Sequence, residues 1–408
     1  MNRKKLVVIG GGAAGFFCAI NAARLQPGLE VIIIEKTGKL LSKVKVSGGG
    51  RCNVTHSCFS MGEMVKKYPR GEKYLKKAFH HFFTTDTINW FLERGIETKT
   101  EKDGRMFPAS NTSQTIIDCF LNEASRYDVA IEMNTEVVDV KFINNKWHLA
   151  TALDRIIETD FVCIASGGFM KVANAQWLST LGHTIAPPVP SLFTFNMPTN
   201  AITQLMGLSV ENVSVKIAGE KLETDGPLLI THWGFSGPAI LKMSAYAALI
   251  LAAKNYDFIV IINWLPQYNE NTLREKMQLV RFDMATTKVQ NKNPFLLPTR
   301  LWEYLLEVTG IREGIKWADL PAKEQNLLVK NLCLQSFKIN GKTTFKEEFV
   351  TAGGVNTEEI NVNTMESKLK KNLFFAGEVI NVDGVTGGFN FQNAWTTAWI
   401  AAKAIAIS

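Results

Sequence analysis

The chain has 408 residues, 46% hydrophobic and 20% charged, with a formal net charge of +7; it is too long for one small domain and ordinary in composition for a globular protein of two or three. The mild positive charge favours anionic ligands such as dinucleotides slightly, would suit nucleic acid weakly, and establishes neither. Six cysteines without a CxxC pair argue against a zinc site, an iron–sulfur cluster or a dithiol redox couple, so no metal is expected.

Lys5–Ile9 (KLVVI) reads as a buried parallel strand, followed by a glycine turn, a helix from Ala13 to about Arg24 and a second strand over Val31–Glu35. Residues 36–60 read as a glycine- and lysine-rich loop, and 61–127 as helical with strand-like interruptions around Thr98–Phe107. Glu136–Phe142, Trp147–Ala152 and Ile156–Thr159 read as a small meander, and Phe161–Ala165 as another buried strand ending in Ser166-Gly167-Gly168. Pro187, Pro188 and Pro190 mark a linker, and Leu192 to about Trp264 is rich in short β-like runs. Residues 266–334 read helical, with periodic Leu301, Tyr304, Leu305 and Val308. After Phe349 the glycines return, Leu373–Ala376 reads as a buried strand, and a helix from about Phe391 closes the chain. Lys242 and Lys403 interrupt the apolar stretches Ala239–Ala253 and Ala394–Ile407, so neither reaches the roughly 20 apolar residues of a membrane span. Scattered thiols and no signal-peptide cleavage pattern lead to the expectation of a cytoplasmic protein.

Three segments carry chemistry. Gly10-Gly11-Gly12-Ala13-Ala14-Gly15 satisfies GxGxxG between a strand and a helix: Gly10 permits the turn, Gly12 lets the backbone approach a pyrophosphate, and Gly15 lets helix and strand pack closely. Glu35, twenty residues after Gly15, stands where a carboxylate accepts hydrogen bonds from an adenosine ribose. This unit alone leaves FAD and NAD both open. The second segment, Lys43 to Asn53, holds Ser47, Gly48, Gly49, Gly50, Arg51, Cys52 and Asn53; consecutive glycines are entropically costly and make sense where backbone passes close to a ligand. Cys52 is a weak candidate for a reactive thiol beside Arg51, and a small packing residue is the preferred reading. The third segment runs from Phe374-Phe375-Ala376-Gly377-Glu378 to Asp383-Gly384-Val385-Thr386-Gly387-Gly388-Phe389-Asn390. There a carboxylate could bind ribityl hydroxyls, and a helix N-terminus could face the pyrimidine edge of a flavin. Two such glycine turns at opposite ends of the chain are hard to explain by NAD alone and are expected of one long cofactor, FAD, lying across a single sheet.

The combination of GGGAAG, KVxxSGGGRCN and GExxxxxGxTGGFNFQNAW resembles the BaiN-like family of bacterial flavoproteins, also called aminoacetone oxidase family FAD-binding enzymes. Thr231-His232-Trp233-Gly234-Phe235-Ser236-Gly237-Pro238 is similar to a THxGxSGP stretch in that family's middle domain. The resemblance implies an α/β fold: a Rossmann-like, two-dinucleotide-binding-type FAD domain over 1–190 and 350–408, a β-barrel-like middle domain over 191–265 and 335–349, and a helical insert over 266–334. It assigns Gly12, Ala14 and Gly15 to the pyrophosphate, Glu35 and Lys36 to the adenosine, Val138 to the adenine, and Ser47 to Asn53 to the flavin side. Gly377, Glu378, Gly388, Phe389, Asn390 and Asn393 would close over the ribityl chain and isoalloxazine. Ala165, Ser166 and Gly167 precede a departure: Phe169 to Asn174 replaces the GSTGDG-like loop of many relatives, which weakens any inference about substrate.

His232 is a candidate to protonate a substrate near the flavin, with a structural role as the preferred reading. His80-His81 lacks ligand partners at metal spacing. Lys66, Lys67, Arg70, Lys73, Lys76 and Lys77 read first as a solvated face; the 2′-phosphate of NADPH, an anionic substrate or RNA are the alternatives. No second GxGxxG with its acid lies between residues 160 and 350, so NAD(P)H would bind only transiently. The expectation is an FAD-dependent oxidoreductase moving hydride between flavin N5 and a small organic substrate. The resemblance makes NAD(P)H-driven reduction of a conjugated C=C the leading form. The alternatives are an O2-using substrate oxidase, or a flavin-bearing protein of RNA association, tRNA modification or regulation. Oligomeric state stays open.

Overall fold

The computed structural model describes residues 3–169, 171–343 and 350–408. The chain divides into two compact units, Met1–Ser191 with Phe345–Ser408, and Leu192–Thr344.

The first unit is built on a five-stranded parallel sheet in the order Leu373–Phe375, Phe161–Ile164, Lys5–Ile9, Glu30–Ile34, Ala130–Glu132. The β-branched run of the first strand sits at the centre, paired Val7↔Val162 on one side and Val7↔Ile32 on the other. Its neighbours lie on opposite sides, so the strand order reverses there, and ligands of open α/β sheets bind at the carboxyl ends of strands at such a point. The first helix, Ala13–Leu25, and the last, Phe389–Ile407, pack against each other. Phe17, Trp90, Phe120 and Trp395 interlock beside them, with Phe17 and Trp395 centroids 5.2 Å apart and Phe120 and Trp395 5.6 Å apart. Each such pair contributes about 0.5–1.5 kcal/mol beyond its buried area.

Three local expectations need correction. Residues 36–60 are not loop throughout: Ser42–Gly50 begins as a helix and breaks at Ser47, Gly48 and Gly49. The proline-marked linker is a strand, Ile185–Ser191, paired antiparallel with Val350–Val355. Its ladder breaks between Ala186 and Val189, where Pro187 and Pro188 have no N–H to donate. The short β-like runs of 192–264 include the helices Pro238–Tyr246 and Ala248–Ala253. Gly237 and Pro238 open the first of these in the favoured position for proline, the first turn.

The second unit has a seven-stranded antiparallel sheet, Gln335–Asn340, Asp257–Asn263, Ser209–Ile217, Glu223–Thr231, Gly234–Ser236, Thr194–Asn196, Lys342–Thr343. The sheet curls so that Gln335–Asn340 approaches Thr194–Asn196. Helices Glu270–Asp283, Thr299–Thr309 and Ala322–Cys333 do not form a core of their own. Leu273, Leu301, Trp302 and Leu328 share one apolar cluster with Phe195, Val215, Phe235 and Ile262 of the sheet, so the middle segment and the helical insert are one body. No helix among the described residues is long and apolar enough to cross a membrane.

A buried polar lock ties His183, Glu359 and Ser367 together in the first unit. The Ser367 hydroxyl accepts from Leu369 N and Lys370 N at 3.0 and 2.9 Å and stands 3.0 Å from His183 Nε2. It therefore donates to Nε2, which leaves Nδ1–H to donate to Glu359 Oε2 at 3.1 Å. Burial holds His183 below its ordinary pKa, against the opposing pull of Glu359. The unfolded chain thus takes up a proton near pH 6.5, before the folded one does, and this stabilisation is present above that pH and lost as pH falls. The melting temperature should drop between pH 7.5 and 5.5, and His183→Gln should flatten that drop; an unchanged pH dependence in the variant would count against the lock.

Candidate functional site

The glycine turn after the first strand is fixed by close approach. Gly10 adopts φ +117°, and a Cβ there would stand 2.4 Å from Ala165 O; a Cβ on Gly15 would stand 1.9 Å from Gly10 O. Gly12, by contrast, faces open space and caps the first helix, whose first N–H groups have no partner within the helix and carry its positive dipole end. Glu35 lies beside this turn, accepting from Gly11 N through Oε2 and from Thr37 N through Oε1, both at 2.9 Å. Lys36 next to it is exposed. Val138 occupies a bulge, outside the ladder that pairs Val137 with Thr151 and Asp139 with Ala150.

The second segment is a left-handed loop. Gly48, Gly49, Gly50 and Cys52 all have positive φ, between 60° and 83°. Gly48 is pressed on Phe107, while Gly49 and Gly50 face open space. Ser113 holds both ends of the loop, donating from Oγ to Lys45 O at 2.8 Å and from N to Gly50 O at 2.9 Å. Sequence reading missed Ser113, since nothing local marks it. The Ser47 hydroxyl bonds Val44 O, and Arg51 turns to Glu101 at 2.5 Å and lies 4.0 Å over the Phe107 ring. Cys52 is fully buried, and desolvation pushes its thiol up to about 12 against a smaller effect from Ser47. Burial thus disfavours the thiolate of Cys52.

The third segment meets the other two. Glu378 accepts from Lys43 Nζ at 2.5 Å and from Thr351 N at 2.8 Å. Gly168 lies so close that a Cβ would touch Thr351 Oγ1 and Glu378 Oε1. Gly377 N donates to Thr397 Oγ1 at 2.9 Å, and a Cβ on Gly377 would meet Ala14 Cβ at 2.8 Å. The last helix starts at Gly387-Gly388-Phe389 and is clamped. A Cβ on Gly388 would stand 2.5 Å from Thr55 O, and Tyr68 OH donates to Phe389 O at 2.7 Å. Asn390 grips Gly384 N and O at 2.8 and 2.9 Å, and the buried Asn53 amide is 2.9 Å from Gly388 N. Beneath this loop Arg70 makes a two-pronged ion pair with the fully buried Asp383, which also accepts from Ser191 Oγ at 3.0 Å. Arg70 is thus removed from the basic run.

The first unit therefore brings together Gly10, Gly12, Ala14, Gly15, Lys43, Gly377 and Glu378, with Thr351 added. After the central strand's neighbour, Ala165 N bonds Ile9 O at 2.9 Å, Ser166 follows, and Gly167 again faces open space. Met170 of the departing loop lies outside the described residues. His232 belongs to the second unit, exposed on a turn with its ring 4.1 Å from Trp233. The glycines fit FAD: Gly12, Gly49, Gly50 and Gly167 leave bare backbone where a long ligand could lie. Thr351 Oγ1 and Asn393 Oδ1 are buried polar atoms without a hydrogen-bond partner among the described residues, an arrangement costly unless a ligand completes it.

A parallel sheet with a dinucleotide turn and acid at its switch point, met by a second glycine turn from the chain's far end, defines a Rossmann-type FAD-dependent oxidoreductase. Residues 4–404 match the family described as HI0933-like protein Rossmann domain, and the chain belongs to that family. It is 30% identical to the ribosomal RNA dihydrouridine synthase of Escherichia coli (strain K12) over 99% of this chain and 98% of that protein. It is 27% identical to the 3-dehydro-bile acid delta(4,6)-reductase of Clostridium scindens over 100% of this chain and 99% of its relative. Among solved structures, a 3-ketosteroid-delta4-(5alpha)-dehydrogenase from Rhodococcus jostii RHA1 aligns with a TM-score of 0.53 at 12% identity, covering 98% of both chains. The open conformation of a flavocytochrome c3 fumarate reductase aligns with a TM-score of 0.51 at 16% identity, over 99% of this chain and 78% of that one. These two likenesses show the fold. The BaiN-like resemblance read from the motifs agrees with the family.

Ser113→Ala removes one hydrogen bond from the glycine loop, a loss of about 1 kcal/mol. FAD affinity, titrated on deflavinated protein, should weaken several-fold and be restored by Ser113→Thr; unchanged affinity would show that the loop does not depend on Ser113. Arg70→Met should lower the unfolding free energy in urea by about 3–5 kcal/mol, because it strands the buried Asp383 carboxylate.

Proposed function

We propose that the chain is a reductase that saturates a C=C bond conjugated with a carbonyl, using FAD held by the first unit and NAD(P)H as electron donor. The observation that carries this reading is the convergence of Lys43, Glu378 and both glycine turns on one sheet end, with no second GxGxxG and acid between residues 160 and 350. One dinucleotide would be resident, and a nicotinamide would be a visitor. The two relatives' names support the reaction class. Making dihydrouridine saturates the C5=C6 bond of uracil, conjugated with its C4 carbonyl, and a delta(4,6)-reductase of a 3-oxo bile acid acts on the same grouping. In the net reaction the carbon β to the carbonyl gains a hydride, the α carbon gains a proton, and NAD(P)H becomes NAD(P)+.

Bound FAD supplies the hydride chemistry, and the protein supplies binding, orientation and electrostatics. Gly12 and the first helix N-terminus would hold the pyrophosphate, and Glu35 and Lys36 the adenosine. The backbone at Val138 would meet the adenine. Ser47 to Asn53 would line the flavin, with Gly49 and Gly50 giving close passage. Glu378, fixed by Lys43 and Thr351 N, would bind ribityl hydroxyls, and Asn393 would find its missing partner there. The Gly387-Gly388-Phe389-Asn390 start of the last helix would place its positive dipole end at the pyrimidine edge, where negative charge develops. We place the protein in the cytoplasm, where NAD(P)H and reduced thiols coexist.

Purified protein mixed anaerobically with NADH and with NADPH should bleach with one of them, and cyclohexenone or uridine-containing RNA should then restore the oxidised spectrum. A flavin that stays oxidised with both nicotinamides overturns the donor assignment. A reduced flavin that only O2 reoxidises would instead make the protein an oxidase.

A further inference from the structure

Five exposed lysines, Lys66, Lys67, Lys73, Lys76 and Lys77, lie on and between the short helices Met61–Val65 and Glu72–Ala78. Glu63 and Glu72 are the acids among them, and Glu63 is taken by Lys66 at 2.7 Å. This face is joined to the loop that opens the last helix: Val385 N donates to Lys67 O at 2.9 Å, and Tyr68 OH to Phe389 O at 2.7 Å. A Cβ on Gly71 would stand 2.4 Å from Val382. The lysines therefore border the site and are held in register with it. An aromatic ring stands beside them. Phe59 is 60% exposed and follows Cys58, whose thiol lies in the field of Lys67. Lys67 also acts on His56, whose ring stacks on Phe389 at 4.8 Å. His56 and Phe389 thus stack at the start of the last helix, and Phe59 lies three residues along the chain from His56.

We infer that this face docks single-stranded RNA, with the lysines on phosphates and Phe59 stacked on a base beside the one to be reduced. The inference rests on the proposed conjugated-bond reduction. A substrate suited to this face must carry several negative charges and also present a C=C conjugated with a carbonyl; a pyrimidine in an RNA strand satisfies both. A groove of exposed lysines with an adjoining aromatic ring is how single strands are bound, phosphates giving salt dependence and rings giving stacking. Arg70 takes no part, because Asp383 holds it, so reversing Arg70 tests folding rather than docking.

The test measures binding of a fluorescein-labelled 20-nucleotide oligouridylate to the FAD-loaded protein between low and moderate salt. The Lys73→Ala/Lys76→Ala/Lys77→Ala variant should bind more weakly and reduce the slope of log K against log salt by about 2, at roughly 0.7 per single-strand phosphate. Phe59→Ala should weaken binding about ten-fold or more and leave that slope unchanged. The bound-flavin spectrum serves as the folding control, and Lys288→Ala/Lys316→Ala/Lys323→Ala, the same charge loss in the second unit, should change neither quantity. Equal binding by all variants overturns the inference, as does wild-type protein that ignores the oligonucleotide or binds anionic phospholipid vesicles in its place. If RNA binding fails while cyclohexenone is still reduced, only the docking face is wrong. If RNA binds as expected but neither substrate is reduced, it is the proposed reaction that falls.

Discussion

Gly10 stands where any side chain would strike Ala165 O, Gly15 where it would strike Gly10 O, and Gly377 where it would strike Ala14 Cβ. At these three positions the first strand, the first helix and the Gly377-Glu378 turn approach to backbone distance. Everything else at the site depends on that approach. A single methyl group at Gly15 would push the helix off the strand, and the N–H groups at the start of the helix would move with it. The contrast with Gly12, Gly49, Gly50 and Gly167 is informative, because those glycines face open space. One set is required by the protein's own packing, and the other leaves bare backbone on the side where a dinucleotide would lie.

The unit is discontinuous in sequence, and polar ties across more than 300 residues hold its two pieces together. Lys43 meets Glu378, Arg70 meets Asp383, Tyr68 meets Phe389 and Thr55 meets Gln392, at separations of 335, 313, 321 and 337 residues. Each closes a very long loop. Closure entropy grows only slowly with loop length, so inserting the whole second unit between the pieces costs little more than a shorter insertion would. The aromatic cluster of Phe17, Trp90, Phe120 and Trp395 supplies the apolar contact that makes closure favourable, since it too draws on both ends of the chain.

Local pattern made the site's backbone readable. KLVVI, the GxGxxG turn, Glu35, the triple glycine and the Gly-Glu turn are each written within a few residues, and the fold sets the first strand, its turn and the Gly377-Glu378 turn side by side. Ser113, Thr351 and the Arg70–Asp383 pair were not readable, because each is defined by a partner far away in sequence, and serine, threonine and arginine are common everywhere. Ile185–Ser191 was misread for a different reason: its prolines look like a linker, and only the partner strand Val350–Val355 shows that the ladder tolerates them at a break. The three helices of 266–334 were legible as helices through their apolar periodicity. Their sharing of a core with the sheet was not, since periodicity shows that a face is buried and says nothing of what buries it.

The distribution of cations follows the same division between inside and outside. Arg51 lies over Phe107 and pairs with Glu101, Arg94 lies 3.6 Å over Trp90 and pairs with Glu123, and Arg70 grips the buried Asp383. A guanidinium is weakly hydrated, planar and able to form two parallel hydrogen bonds, so it can leave water for an aromatic face or a carboxylate at modest cost. An ammonium is compact and strongly hydrated, and Lys66, Lys67, Lys73, Lys76 and Lys77 accordingly remain in solvent. The basic run in the sequence thus contains two kinds of charge. The arginine fixes the loop beneath the last helix, and the lysines beside it are left with their charge facing outward, next to the site that the loop builds.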